Sequence, residues 1–388
     1  MIGAAKDAAR SLRMFLAGDV MTGRGIDQVL PHPGDPRIHE EFMTSAEGYV
    51  HLAERRSGPL PRPVPYAHVW GDLRDELARR RCDLRLINLE TAITRDGVPA
   101  PKGINYRMHP DNIGVLTLAG IDGCILANNH VMDWGRAGLV DTLDALGDAG
   151  IGTVGAGRNS QHAAAPLVVD CAGRGRVITV AFGAETSGVP GDWAAGDTLP
   201  GIEVLPQDPE ETVARVRDRV APLRGPGDVL IVSIHWGGNW GFEVPDDQRA
   251  LAHALIDHAV TDVVFGHSSH HPKGIEIYRG KLILYGAGDL INDYEGIEGY
   301  EQFRGDLALA YFAEVNAGDG RLAGLDMVPY RRRGFRLCRA KGEAAAWLAD
   351  AIGRRSVVPA PGLTRSADDV LRIGLAPGAG SARSVESR

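Results

Sequence analysis

Five short apolar runs in this chain each end on a residue of a metal-binding type, and no other feature constrains the fold as strongly. Met14–Ala17 leads through Gly18 to Asp19, Leu84–Asn88 leads to Glu90, and Gly123–Ala127 leads to Asn129 and His130. Val229–Ile234 stops at His235, and Asp262–Phe265 reaches His267 through Gly266, with His270 and His271 just beyond. Runs this short, separated by longer amphipathic stretches, read as strands alternating with helices. Ligands of an open α/β sheet bind beyond the carboxyl ends of its strands, so the pattern delivers a carboxylate, a carboxamide and imidazoles to one sheet edge. Those residue types bind divalent transition metals. Taken singly, each has an ordinary explanation as a turn former, a helix cap or a packed loop histidine. Gly18 and Gly266 are expected to let the backbone turn sharply before the polar residue.

The remaining strand candidates are Val177–Phe182, Gly274–Tyr278 and Leu282–Tyr285. Helices are expected over Ala67–Arg81, Asp111–Ala119, Arg136–Ala149, Pro209–Leu223, Asp246–Ala259 and Glu343–Arg354, several with acidic residues in the first turn. After residue 260 strands follow one another, which suggests hairpins and a mixed sheet. Residues 31–65 and 183–208 are rich in Pro, Gly and charge and read as loops, the first as an inserted lid. The expected layout is a catalytic domain over residues 1–340, a C-terminal helical segment over 341–375 and a disordered tail over 376–388.

Of the 388 residues, 44% are hydrophobic and 24% charged, which suits an ordinary globular protein. The net charge of -8 argues against nucleic acid as a partner. Cys82, Cys124, Cys171 and Cys338 are far apart and read as reduced thiols. Lys6, Asp7, Arg10 and Arg13 interrupt the N-terminal stretch where a signal peptide needs an apolar run, and no membrane span is expected, so the location expected is cytoplasmic.

The ordered set Gly18-Asp19-Val20-Met21, Asn88-Leu89-Glu90, Asn128-Asn129-His130 with Asp133, His235-Trp236-Gly237 and Gly266-His267-Ser268-Ser269-His270 resembles the CapA family. That family is the poly-γ-glutamate capsule synthesis branch of the calcineurin-like metallophosphoesterases. The resemblance runs from residue 14 to about 330 and takes in the Lys281–Leu290 segment. It implies an α/β fold, a four-layer α/β/β/α sandwich with mixed sheets. It also implies metal ligands at Asp19, Glu90, Asn129, His235, His267 and His270, holding one or two ions of Mn, Zn, Fe, Co or Ca. His130 corresponds to the histidine that acts on substrate beside the metals. Three positions depart from the pattern. Met21 replaces the histidine of Asp-x-His, Glu90 replaces a bridging Asp, and GHSSH, followed by His271, replaces GHxPH.

A homologue of this kind without an anchor suggests a peptide epimerase, inverting the C-terminal residue (Trp by the same resemblance) of a lasso-peptide precursor. Cations at the carboxylate offset the charge that builds when the Cα proton leaves. His130, His270, His271 and Asp133 are the acid/base candidates, Arg24 a partner for the substrate carboxylate, and Trp236 a wall for its side chain. The expected partners are a precursor peptide and a leader-binding protein, with no membrane. A phosphoesterase or capsule-type polyglutamate protein is the alternative, and a non-catalytic scaffold the third reading.

Overall fold

The computed structural model describes residues 11–360 and 362–374. The central strands of its two large sheets have side chains buried on both faces, which is why they read as unbroken apolar runs. In the first sheet the order is Leu363–Arg365, Leu371–Gly374, Leu322–Arg333, Leu307–Asn316, Ser11–Val20, Leu84–Leu89, Gly123–Ile125 and Gly152–Val154. Ser11–Val20 pairs parallel with Leu84–Leu89 and antiparallel with Leu307–Asn316, so the sheet is mixed, as expected. The second sheet runs Ile275–Tyr278, Lys281–Leu284, Val263–His267, Val229–His235, Arg176–Gly183 and Leu167–Asp170.

Alternation along the strands sorts side chains into three cores. Leu12, Met14 and Leu16 join Val177, Ile231 and Phe265 between the two sheets. Phe15 and Ala17 face the opposite way and pack with Val50, Trp70, Leu77 and Leu139 from the helices on the first sheet. Ile178, Val180 and Leu230 pack with Val216, Leu251 and Leu255 on the second. Helix, sheet, sheet and helix stack in that order, giving the expected four-layer α/β/β/α sandwich.

Three local differences from the sequence reading have physical causes. The helix expected over Ala67–Arg81 is two, Ala67–Trp70 and Leu73–Arg80, because Gly71 has φ 46° and a Cβ there would sit 2.2 Å from the Leu337 carbonyl. Inside the 31–65 stretch lies a helix, Glu47–Ser57, whose Tyr49, Val50 and Ala53 are buried. The C-terminal segment contributes the helix Glu343–Gly353 and then the hairpin Leu363–Arg365/Leu371–Gly374 at the end of the first sheet. The proposed tail lies outside the described residues. The four cysteines are free, Cys124 and Cys171 being buried. Among the described residues no helix is long and apolar enough to cross a membrane.

Candidate metal centre

Register places the first ligands. Asp19 lies opposite Asn88 on one side and Asp289 on the other, at a bulge in its strand. His235 and His267 are direct partners in the second sheet. Donor atoms of Asp19, His235 and His267 lie within 4.8 Å of one another, and so do those of Asp19, His270 and Asp289. Asp19 is common to both triads. Glu90 Oε1 is 3.5 Å from His235 Nε2 and 3.9 Å from His130 Nε2. Asn129 Oδ1 is 3.0 Å from His235 Nε2. The structure thus brings together all six residues the resemblance names as ligands.

The glycines before the ligands work by size. Neither Gly18 nor Gly266 has positive φ. A Cβ on Gly18 would lie 2.0 Å from the Gly288 carbonyl, and one on Gly266 2.6 Å from Tyr285 O. Close approach of two backbones, not a sharp turn, is what they permit. Gly18→Ala is therefore expected to cost about 1–3 kcal/mol of stability and to push Asp289 away from Asp19, read as a lowered denaturation midpoint and weakened metal uptake.

The donor set fits a cation. Asp19 Oδ2 and Glu90 Oε2 are buried and have no hydrogen-bond partner among the described residues, a costly state for a carboxylate that a bound cation relieves. Burial, reinforced by Asp289, pushes the Asp19 carboxyl up to about 7. Burial and then Asp19 hold Glu90 well above the carboxylate range. Burial draws His267 down to about 3, and burial with His267 beside it lowers His235. Both imidazoles stay neutral, the form that ligates metal. Burial lowers His270 too, but the Asp289 carboxylate 3.0 Å away overcomes it and the net shift is upward. A cation entering near neutral pH must displace protons from Asp19 and Glu90. The affinity for Mn²⁺ is therefore expected to fall roughly tenfold per pH unit for each proton displaced as pH drops below about 7. Calorimetry in buffers of different ionisation enthalpy reads this as proton release, and an affinity flat from pH 8 to 6 contradicts it.

His130 stands beside the cluster. Its Nδ1 is 2.7 Å from Asp133 Oδ2, and burial brings the ring down to about 4, so it is neutral with Nε2 turned toward Glu90. Lys102 donates to Asp133 Oδ1 at 2.7 Å and to the Asn129 carbonyl, tying the loop that carries His130. Trp193 of the 183–208 stretch lies 5.5 Å from the Lys102 ammonium.

Two side chains that matter here carried little sequence signal. Asp289 follows the apolar run Leu282–Tyr285 only after three further residues, though it repeats the polar-after-strand pattern. It joins His270 in the triad for which Met21 offers no ligand. Arg332, in the basic run Tyr330–Arg333, is buried, and its guanidinium donates to the main-chain carbonyls of Asp289, Gly305 and Leu307. It anchors the backbone that presents Asp289.

Three expectations are corrected. Arg24 does not face a substrate carboxylate. It is buried, with Nη1 2.8 Å from Glu40 Oε1, Nη2 2.5 Å from Asp293 Oδ1, and the Tyr49 and Tyr106 rings against its guanidinium. Trp236 does not line a pocket, because it is 3% exposed, stacks on Tyr285 and donates Nε1 to the Tyr285 carbonyl. His271 is boxed by Trp240, Phe242 and Phe303, and its Nε2 has no partner among the described residues. Its Nδ1 is taken up by the Pro272 carbonyl at 3.2 Å, and burial brings the ring down to about 4, so His271 is a packed neutral imidazole and not an acid/base group.

Comparison with known proteins shows the family. A probable polyglutamine synthesis accessory protein of Mycobacterium tuberculosis is 47% identical over 88% of this chain and 90% of its own. The PGA biosynthesis protein CapA of Bacillus subtilis is 28% identical over 80% of this chain and 70% of its own. A phosphatase structure from Mycoplasma pneumoniae aligns over 83% of this chain and 94% of that one, at 12% identity and a TM-score of 0.46, too low to bear on fold or function. The model of the bacterial capsule synthesis protein PGA_cap matches residues 13–294, spanning Asp19 to Asp289, and the chain belongs to that family.

Proposed function

We propose that this protein is a divalent-metal-dependent hydrolase serving the synthesis of a polyglutamine- or polyglutamate-type polymer. One observation carries the metal requirement. Two triads share Asp19, while Asp19 Oδ2 and Glu90 Oε2 are buried without partners. The polymer is suggested by what the relatives' names say of those proteins. Asp19, His235, His267, Asn129 and Glu90 would hold one ion, and Asp19, His270, Asp289 and Glu90 a second. Such ions polarise a phosphoryl or carbonyl oxygen and activate water. The protein's own part is to fix that geometry and to move a proton. Asp133 holds Nδ1 of His130, which leaves Nε2 as the atom that gives or takes a proton at the scissile bond. The buried walls keep bulk water away from the reacting groups.

Chelated protein is expected to be inactive on aryl phosphoesters, and Mn²⁺ to restore turnover. His130→Ala is expected to lower turnover by about 10²–10⁴ while leaving Mn²⁺ uptake intact. Full turnover after chelation contradicts the reading. The relatives give no support to lasso-peptide epimerisation. Deuterium exchange at the C-terminal Cα of a precursor peptide, without cleavage, would nevertheless replace hydrolysis by that reaction.

A further inference from the structure

The hydroxyls of Tyr106 and Tyr294 meet at 2.7 Å beside the ligand cluster. Tyr106 is fully buried and packs edge-on against His130, with ring centroids 4.6 Å apart. Tyr294 packs edge-on against His270 at 5.3 Å. The pair therefore spans the centre from the acid/base histidine to the Asp289 triad. Tyr106 is the donor in this hydrogen bond and Tyr294 the acceptor. Arg24, which has only donors, covers the Tyr106 ring at 4.5 Å and so offers its hydroxyl proton no acceptor. The proton of the Tyr294 hydroxyl has no acceptor among the described residues. Its side chain is only half-buried, and Asp289 and Glu90 lie near enough for their charges to act on it.

We propose that Tyr294 is a substrate-binding residue, giving its spare hydroxyl proton to an oxygen of an anionic phosphoryl or carboxyl group held over Asp19, with Tyr106 polarising it from behind. The inference rests on the metal-dependent reading above. With the cation in place the centre attracts an anion, yet the residues around it are mostly acceptors. A phenol is a neutral donor at working pH that competes for no metal. The hydroxyl behind it strengthens its donation. Arg24 holds both rings, lying 5.7 Å from that of Tyr294.

The test is binding of inorganic phosphate to the Mn²⁺-loaded protein by calorimetry, with metal content measured on the same samples. Tyr294→Phe is expected to weaken phosphate about tenfold with Mn²⁺ uptake unchanged. Tyr106→Phe, which leaves the Tyr294 hydroxyl in place, is expected to weaken it by no more than about threefold. Equal losses in the two variants would mean a packing role and overturn the proposal, as would a Tyr294→Phe protein that binds phosphate like the parent. A parent that takes up Mn²⁺ but no phosphate overturns the role of Tyr294 and leaves the metal reading standing. A parent that takes up no Mn²⁺ overturns both.

Discussion

Asp19→Ala protein is expected to fold, to take up no divalent cation and to turn over about a thousandfold more slowly than the parent. Asp19 is the one residue common to both triads, so its loss leaves neither complete. The stability change separates this site from an ordinary structural carboxylate. Burial raises the Asp19 carboxyl to about 7 in the metal-free fold, whereas it titrates near 3.8 in the unfolded chain. A carboxyl raised on folding adds nothing below the unfolded value and destabilises progressively as pH climbs toward the folded one. Chelated Asp19→Ala is therefore expected to match or exceed chelated parent in denaturation midpoint at pH 7.5, to keep only part of that advantage at pH 5, and to lose it below the unfolded value of 3.8. The rise in midpoint that Mn²⁺ gives the parent should vanish in the variant. A chelated variant markedly less stable at pH 7.5 would show that Asp19 serves the fold and not a cation.

Arg24→Met is expected to cost about 3–5 kcal/mol, a large share of the ~5–15 kcal/mol that holds a typical domain together. The guanidinium is the shared partner of Glu40 and Asp293, and all three are buried. Removing it strands two carboxylates out of water, with Tyr49 donating to one and the Gly25 amide to the other as partial compensation. If stranded charge is the cause, adding Glu40→Gln and Asp293→Asn to Arg24→Met should recover most of the loss. Chemical denaturation of the single and triple variants decides it. No recovery in the triple variant would assign the cost to the tyrosine packing around Arg24. Because Glu40 belongs to the 31–65 stretch and Asp293 follows the Asp289 strand, this ion network also pins the inserted segment against the site.

The strands and most of the ligand set were legible because central strands buried on both faces leave short unbroken apolar runs, and a polar residue at the end of such a run stands out. His235 and His267 could be named from that alone, and register does bring them together. Asp289 was not, since three residues separate it from its run and its strand pairs back onto Ser11–Val20. The true part of Arg24 was also hidden, because one of its partners lies 269 residues away. The break at Gly71 depends on the backbone of Leu337, equally remote in sequence. In each case a local pattern was overridden by one long-range contact, which spacing alone does not encode. The helix Glu47–Ser57 was obscured by the Pro-rich segments flanking it.

The central claim is that Asp19 lies at the heart of a divalent-cation centre. Calorimetric titration of chelated protein with Mn²⁺ at pH 7, with metal analysis of the dialysed product, tests it most directly. Two ions per chain, one for each triad, with protons released on binding and no uptake by Asp19→Ala, is the expected result. No saturable uptake by the parent, or undiminished uptake by Asp19→Ala, would contradict it.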